Sequence, residues 1–329
     1  MNTSEAIHAA AQGSAVCAGL PEPESAREAG DPVASYVTAF QRGRGCPIFI
    51  LGGMDGSTEG YADLAALIAS RRPGQDHPIY GLGMSSRPGA IPRVTVESLA
   101  ALHVAEIEKI VPRGGKVLLT GHSFGGTVAF EIARQLRRRG TLEPLPVVID
   151  MSAINAPGRP PRTRVRQALD LLRNLPPWLL YELANFNLRG FLTRLQGHAS
   201  RSVRVLLRRP DASELDTRIF LGRAQVPAEL ASLLKSMFTV MRSYQSKPYP
   251  GRVVLLRARV PILSRGRDPY MGWTTVAAGG VDRRLIPGKH GDCVSGRYAP
   301  ELAETIAHYA AEFAQGAAGG AASRTRSSE

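Results

Sequence analysis

A serine set among glycines carries the most pointed chemistry in this chain: Gly121-His122-Ser123-Phe124-Gly125-Gly126. The G-x-S-x-G spacing suits a tight turn in which the glycines remove side chains that would collide, leaving the serine strained and its hydroxyl exposed. Such a hydroxyl attacks a carbonyl carbon once a base takes its proton. Where a helix starts at the serine, its first amides favour negative charge, and the Phe124 N–H is directed toward the oxyanion that forms. An ordinary glycine-rich turn with an incidental serine is the bland alternative, and a strand before with a helix after argues against it.

Seven histidines compete to be the base. His8 lies in the first residues, His77, His103 and His198 lie in plain contexts, His308 falls within a helix, and His122 adjoins the serine but points away from it. His290, in Ile286-Pro-Gly-Lys-His-Gly-Asp-Cys293, occupies a loop between the last strand and the last helix. Where the chain order is serine, acid, histidine, the base comes last, which selects it. The acid that orients the imidazole is Asp150, at the tip of the strand after the serine's helix and without a basic neighbour in sequence. Asp268 is its competitor, after the next strand, where Arg265 and Arg267 suggest a solvated loop.

The elements that must hold these residues alternate. Apolar runs at 47–51, 78–82, 116–120, 146–150, 252–257 and 281–286 read as strands. Helical spacing follows from Tyr61 to Ile68, from the Thr95 cap to Val111, from Gly126 to Arg139 and from Pro300 to Phe313. Strands alternating with helices predict an α/β fold with a mostly parallel sheet covered on both faces. From about 155 to 248 only helical patterns occur, among them Leu230, Leu234, Met237, Met241 and Tyr244 on one stripe. That insert is expected to form a lid over the carboxyl edge of the sheet. Residues 1–45 read as a flexible segment and 316–329 as a disordered tail, leaving 46–315 as the domain.

Composition removes other classes. Three scattered cysteines (Cys17, Cys46, Cys293) make neither a disulfide framework nor a cysteine zinc site. No apolar run approaches the roughly 18 residues of a membrane span, and the first twenty residues lack the charge and apolar block of a secretory signal. A soluble, cytoplasmic protein is expected, with no metal. Its net charge is +13, and residues 151–250 hold 16 Arg and Lys against 6 Asp and Glu. A field of that sign suits an acidic partner. No pattern for nucleic-acid binding accompanies it, and solvated arginine-rich helix faces are the plain alternative.

In this order the motifs resemble the thioesterase domains of nonribosomal peptide and polyketide synthases, within the α/β-hydrolase fold. The likeness runs from Pro47-Ile-Phe through Gly56-Ser57 with Tyr61, Pro78-Ile-Tyr-Gly-Leu and the Ser123 motif with Ala129-Phe-Glu-Ile-Ala-Arg-Gln-Leu136. It continues through Val148-Ile-Asp150, Tyr249-Pro-Gly-Arg-Val-Val, Gly272-Trp273 and Ile286-Pro-Gly-Lys-His290. The resemblance implies that Ser123, with His290 and Asp150, accepts an acyl or peptidyl chain from the phosphopantetheine arm of a carrier protein. Release then follows by water or by a nucleophile within the chain, with no other cofactor. It also implies a second oxyanion donor after the first strand, the backbone of Met54 or of Asp55. Here the family's usual His-Pro is replaced by Gly52-Gly53, and the insert is unusually long and basic. Carrier proteins of this kind are acidic, which gives the positive insert a steering role. The remaining alternatives are an esterase or acyltransferase on free small molecules and a catalytically silent module of the same fold.

Overall fold

Apolar runs without a polar break suit strands buried on both faces. In the computed structural model, which describes residues 33–71, 76–86, 94–158, 163–184, 228–263 and 265–316, β2 (Ile48–Leu51) shows the pattern in its smallest form. All four residues are buried, with Phe49 and Leu51 packed in one core and Ile48 and Ile50 in the other. The same alternation divides β4 (Lys116–His122), β5 (Glu143–Ile149) and β6 (Val253–Val260) between two layers. One layer is closed by α1 (Ala62–Ser70) and α6 (Ala299–Ala314), the other by α2 (Val96–Ile110) and α3 (Phe124–Arg139). Each large aliphatic side chain so buried contributes about 1.5–3 kcal/mol relative to exposure.

With β1 (Val33–Gln41), β3 (Ile79–Ser86) and β7 (Val281–Lys289), the sheet order is β1-β3-β2-β4-β5-β6-β7. Every neighbouring pair is parallel except β1 with β3. The tips of β4, β5 and β7, from which Ser123, Asp150 and His290 follow, therefore lie on one carboxyl edge. Helix α2 begins as its sequence predicts: Ser98 N–H donates to Thr95 Oγ1 and Thr95 N–H to Ser98 Oγ, at 3.1 and 3.0 Å. Helix α3 begins at Phe124, two residues before the start its sequence suggests, and ends on Gly140 in the left-handed region.

The flexible segment expected over residues 1–45 is corrected at its end, because 33–41 is an edge strand. Residues 35–41 of it are half-buried, Val37 packs on one core and Phe40 on the other, and a bulge interrupts it between Ala39 and Gln41. Small and polar side chains make such an edge hard to recognise in sequence. Residues 1–32 and 317–329, most of the rest of the expected segment and nearly all the expected tail, lie outside the described residues.

Within the insert, α4 (Arg164–Ala184) and α5 (Ala228–Ser243) are described, whereas 185–227 lie outside the described residues. The expected stripe holds: Leu234, Met237 and Tyr244 are buried in the core under α3, with Leu230 and Met241 packed beside it. The insert leaves and rejoins the sheet through one clamp. Ile154 and Ser246 exchange two hydrogen bonds, and Asn155 Nδ2 donates to the carbonyls of Arg242 and Tyr244. Among the described residues no helix is long and apolar enough to cross a membrane.

Candidate active site

Ser123 occupies φ 54, ψ −121 between β4 and α3, a region costing a side-chain-bearing residue about 1–3 kcal/mol unless its surroundings over-determine it. They do so here. Ser123 N–H donates to Ile149 O and Gly126 N–H to Ser123 O, both at 3.0 Å. A Cβ at Gly121 would lie 2.3 Å from the backbone of Gly125, and one at Gly125 would lie 2.8 Å from the carbonyls of Leu51 and Gly52. The glycines of the motif are thus required by backbone approach. The same approach seats the loop after β2 against the turn.

Asp150 follows β5 with φ 50, fixed by its N–H donating to Leu256 O at 2.7 Å and by Ala258 N–H donating to its Oδ1 at 2.9 Å. Registration of β5 on β6 therefore decides where the carboxylate sits. His290 follows β7 in a tight turn, in which Lys289 N–H donates to Asp292 Oδ1 and Cys293 N–H returns to Lys289 O. The structure brings these three residues together: His290 Nδ1 lies 2.8 Å from Asp150 Oδ2, and Nε2 lies 3.1 Å from Ser123 Oγ. Burial alone would raise the Asp150 carboxyl. Hydrogen bonds from His290 and Arg265, with the guanidinium charge, more than offset this and hold it at about 2. An ionised carboxylate only accepts, so Nδ1 carries the imidazole proton and Nε2 faces the serine hydroxyl as acceptor.

Arg265 overturns one sequence expectation. It is 8% exposed, not solvated, and its guanidinium grips both oxygens of Asp150, Nη1 on Oδ1 and Nη2 on Oδ2 at 2.7 Å. Asp150, which has no basic neighbour along the chain, thus has one in space. Along the sequence Arg265 stands out only as a neighbour of Asp268. Its place in the loop after the strand that pairs with β5 is the signal that could have found it. Asp268 is occupied locally, accepting from the N–H groups of Tyr270 and Gly272 to shape its own loop.

Among the described residues the other histidines have partners other than the serine. His122 stacks obliquely on His290, ring centres 4.5 Å apart, and burial and the nearby His290 push its pKa down to about 3. It is a neutral wall behind the imidazole. His77 bonds Cys46 O through Nδ1, and His103 pairs with Ser35 Oγ. His308, on α6, lies near Glu312 of the same helix and Arg284 of β7. His8 and His198 lie outside the described residues.

Phe124 opens α3, where the first amides have no intrahelical acceptor. Met54 lies in the turn after β2 with its side chain buried, and Gly56 N–H closes that turn on Gly53 O at 3.1 Å. Asp55, the alternative, is exposed, and its Oδ1 accepts from Ser57 N–H. Among the described residues no three His, Cys, Asp or Glu gather as metal ligands do.

Helix α4 grips both loops of the site. Asn174 Nδ2 donates to Leu263 O and Arg265 O at 3.0 and 2.8 Å. Further along the helix, Tyr181 donates to Asp292 and Glu182 pairs with Lys289 at 3.1 Å.

A family model described as the thioesterase domain matches residues 46–309. The chain is 32% identical over 137 residues to chondramide synthase of Chondromyces crocatus, and 32% identical over 131 residues to indigoidine synthase of Dickeya dadantii. Those matches cover 42% and 40% of this chain but only 3% and 8% of the two relatives. Among solved structures, the NocB thioesterase domain in covalent complex with a fluorophosphonate nocardicin G analogue aligns over 86% of this chain and 100% of its own, with TM-score 0.52 and 20% identity. A four-domain nonribosomal peptide synthetase bound to AMP and glycine aligns over 83% of this chain and 20% of its own, with TM-score 0.53 and 20% identity. At that identity these two establish the shared fold.

Proposed function

We propose, because the chain belongs to the thioesterase-domain family, that it takes an acyl or peptidyl chain from the phosphopantetheine thioester of a carrier protein onto Ser123 and then releases it. The observation that supports this reading best is the unbroken line from Ser123 Oγ through the His290 imidazole to the Asp150 carboxylate, at 3.1 and 2.8 Å.

In the first step Ser123 Oγ bonds to the thioester carbonyl carbon while its proton passes to His290 Nε2. The carbonyl electron pair moves onto oxygen, which the N–H groups of Phe124 and Met54 are suited to receive. Asp150 stabilises the imidazolium without taking its proton. As the tetrahedral intermediate collapses, the C–S bond breaks and Nε2–H protonates the departing thiol. An ester on Ser123 remains. In the second step water, or a hydroxyl or amine within the acyl chain, repeats the sequence in reverse and frees the serine. Hydrolysis and ring closure differ only in which nucleophile reaches the ester.

The likeness to two synthases supports an assignment to peptide or polyketide release. In this reading the protein works in the cytoplasm, and the basic residues of 151–250 steer an acidic carrier protein toward the serine. Turnover of one acyl group as a carrier-bound thioester, as an acyl-pantetheine and as a simple oxygen ester tests the reading. The carrier thioester is expected to be fastest. Equal or faster turnover of the free ester would indicate a small-molecule esterase instead, and absence of fluorophosphonate labelling at Ser123 would indicate a silent module.

A further inference from the structure

We propose that Arg265 is a positioning residue for Ser123, His290 and Asp150, and that helix α4 reaches these three through Asn174, which holds the Arg265 backbone. The proposal rests on the reading of Ser123 as nucleophile and adds a component to it.

Asp150 Oδ2 serves two donors at once, His290 Nδ1 at 2.8 Å and Arg265 Nη2 at 2.7 Å. Because Arg265 Nη1 also holds Oδ1, the planar guanidinium fixes the plane of the carboxylate, and with it the direction in which Oδ2 faces the imidazole. Without the fork, the side chain of Asp150 would keep only His290 and the Ala258 N–H, and the carboxylate could turn about its last torsion. The guanidinium also gives the buried carboxylate a permanent counter-charge, independent of the protonation of His290.

Arg265 is in turn held from the insert. Its N–H closes a turn on Ile262 O, and Asn174, 5% exposed, directs Nδ2 at the carbonyls of Ile262, Leu263 and Arg265. Three acceptors around one atom also fix which end of the amide is nitrogen. With Tyr181 and Glu182 tied to the His290 loop, one helix of the insert grips the segment that orients the acid and the segment that carries the base. Seating of α4 thus sets the alignment of the imidazole.

The rate of fluorophosphonate labelling at Ser123 in the full chain tests this, since it reads activation of the hydroxyl without carrier or acyl chain. Arg265→Ala is expected to slow labelling by roughly 10- to 100-fold, well short of the ~10⁴-fold cost of a misplaced catalytic acid. Arg265→Lys, which keeps the charge but not the fork, is expected to fall between the wild type and Arg265→Ala. Asn174→Asp, nearly isosteric but without the N–H donors, should slow labelling less than Arg265→Ala. The double variant should be no slower than Arg265→Ala alone, because both act through one path. A purely structural role would lower stability and leave the rate of the folded protein unchanged. Labelling of folded Arg265→Ala within about twofold of wild type would overturn the proposal while leaving Ser123 as nucleophile. Failure of the wild-type protein to label at Ser123 would instead remove the underlying reading. Should Arg265→Ala not fold, Arg265→Lys and Asn174→Asp carry the test: both slowed supports the proposal, and either at the wild-type rate overturns it.

Discussion

Asp150 is a carboxylate without exposed side-chain surface, kept ionised by donors from His290, Arg265 and Ala258. Its carboxyl stands at about 2 in the folded chain against an ordinary 3.8. Between those values the unfolded chain binds the extra proton, so stability is complete above about pH 4 and falls as pH drops toward 2. Above that window the contribution is on the order of 2 kcal/mol. Glu131, held below its ordinary value against its own burial by bonds from Arg134, Gln135 and Tyr244, acts in the same direction. Urea unfolding at pH 7, 4 and 3 should therefore show a loss on the acid side that Asp150→Asn flattens, although that variant is less stable throughout. An unchanged acid slope in the variant would contradict the account. Ser123→Ala should lower turnover by at least ~10³-fold and leave the melting temperature nearly unchanged, as activity and calorimetry together would show. At this scale Ser123 and His290 were legible because motif and chain order single them out. Arg265 was not, because its role depends on a loop from another strand folding over the tip of β5.

The elements carry the longest lever on the site. Helix α5 rejoins the sheet through Tyr244, whose hydroxyl donates to the buried Glu131 at 2.8 Å. Tyr244→Phe removes that donor while Arg134 and Gln135 remain on the carboxylate. The expected cost is about 1–2 kcal/mol, read as a lower urea midpoint with an unchanged slope. A loss below about 0.3 kcal/mol would mean that the bond adds nothing to anchoring α5. The central strands could be read directly, since Ile48–Leu51 or Val253–Leu256 buried on both faces leave unbroken apolar runs. Strand β1 could not be read this way. An edge strand with Ser35, Thr38 and Gln41 half-exposed and a bulge near its end lacks the regular alternation that marks a two-faced strand. Its place is set by pairing with β3, a long-range event invisible in local composition.

At the scale of the whole molecule, charge is distributed unevenly. Most of the net +13 belongs to residues 151–250, in the insert that also grips the Asp150 and His290 loops. If that field steers an acidic carrier protein, the association rate should fall severalfold or more between low and physiological salt, while turnover of a small acyl-pantetheine stays level. Carrier association independent of salt would remove the steering role. Beneath both the steering and the release lies acyl transfer from a thioester to one hydroxyl. Incubating the chain with a panel of acyl-pantetheine thioesters, then measuring intact mass and the modified peptide, reads that transfer. The mass of one acyl group, mapped to Ser123 and missing from Ser123→Ala, is expected. An adduct on another residue, or steady thioester turnover by Ser123→Ala, would contradict it.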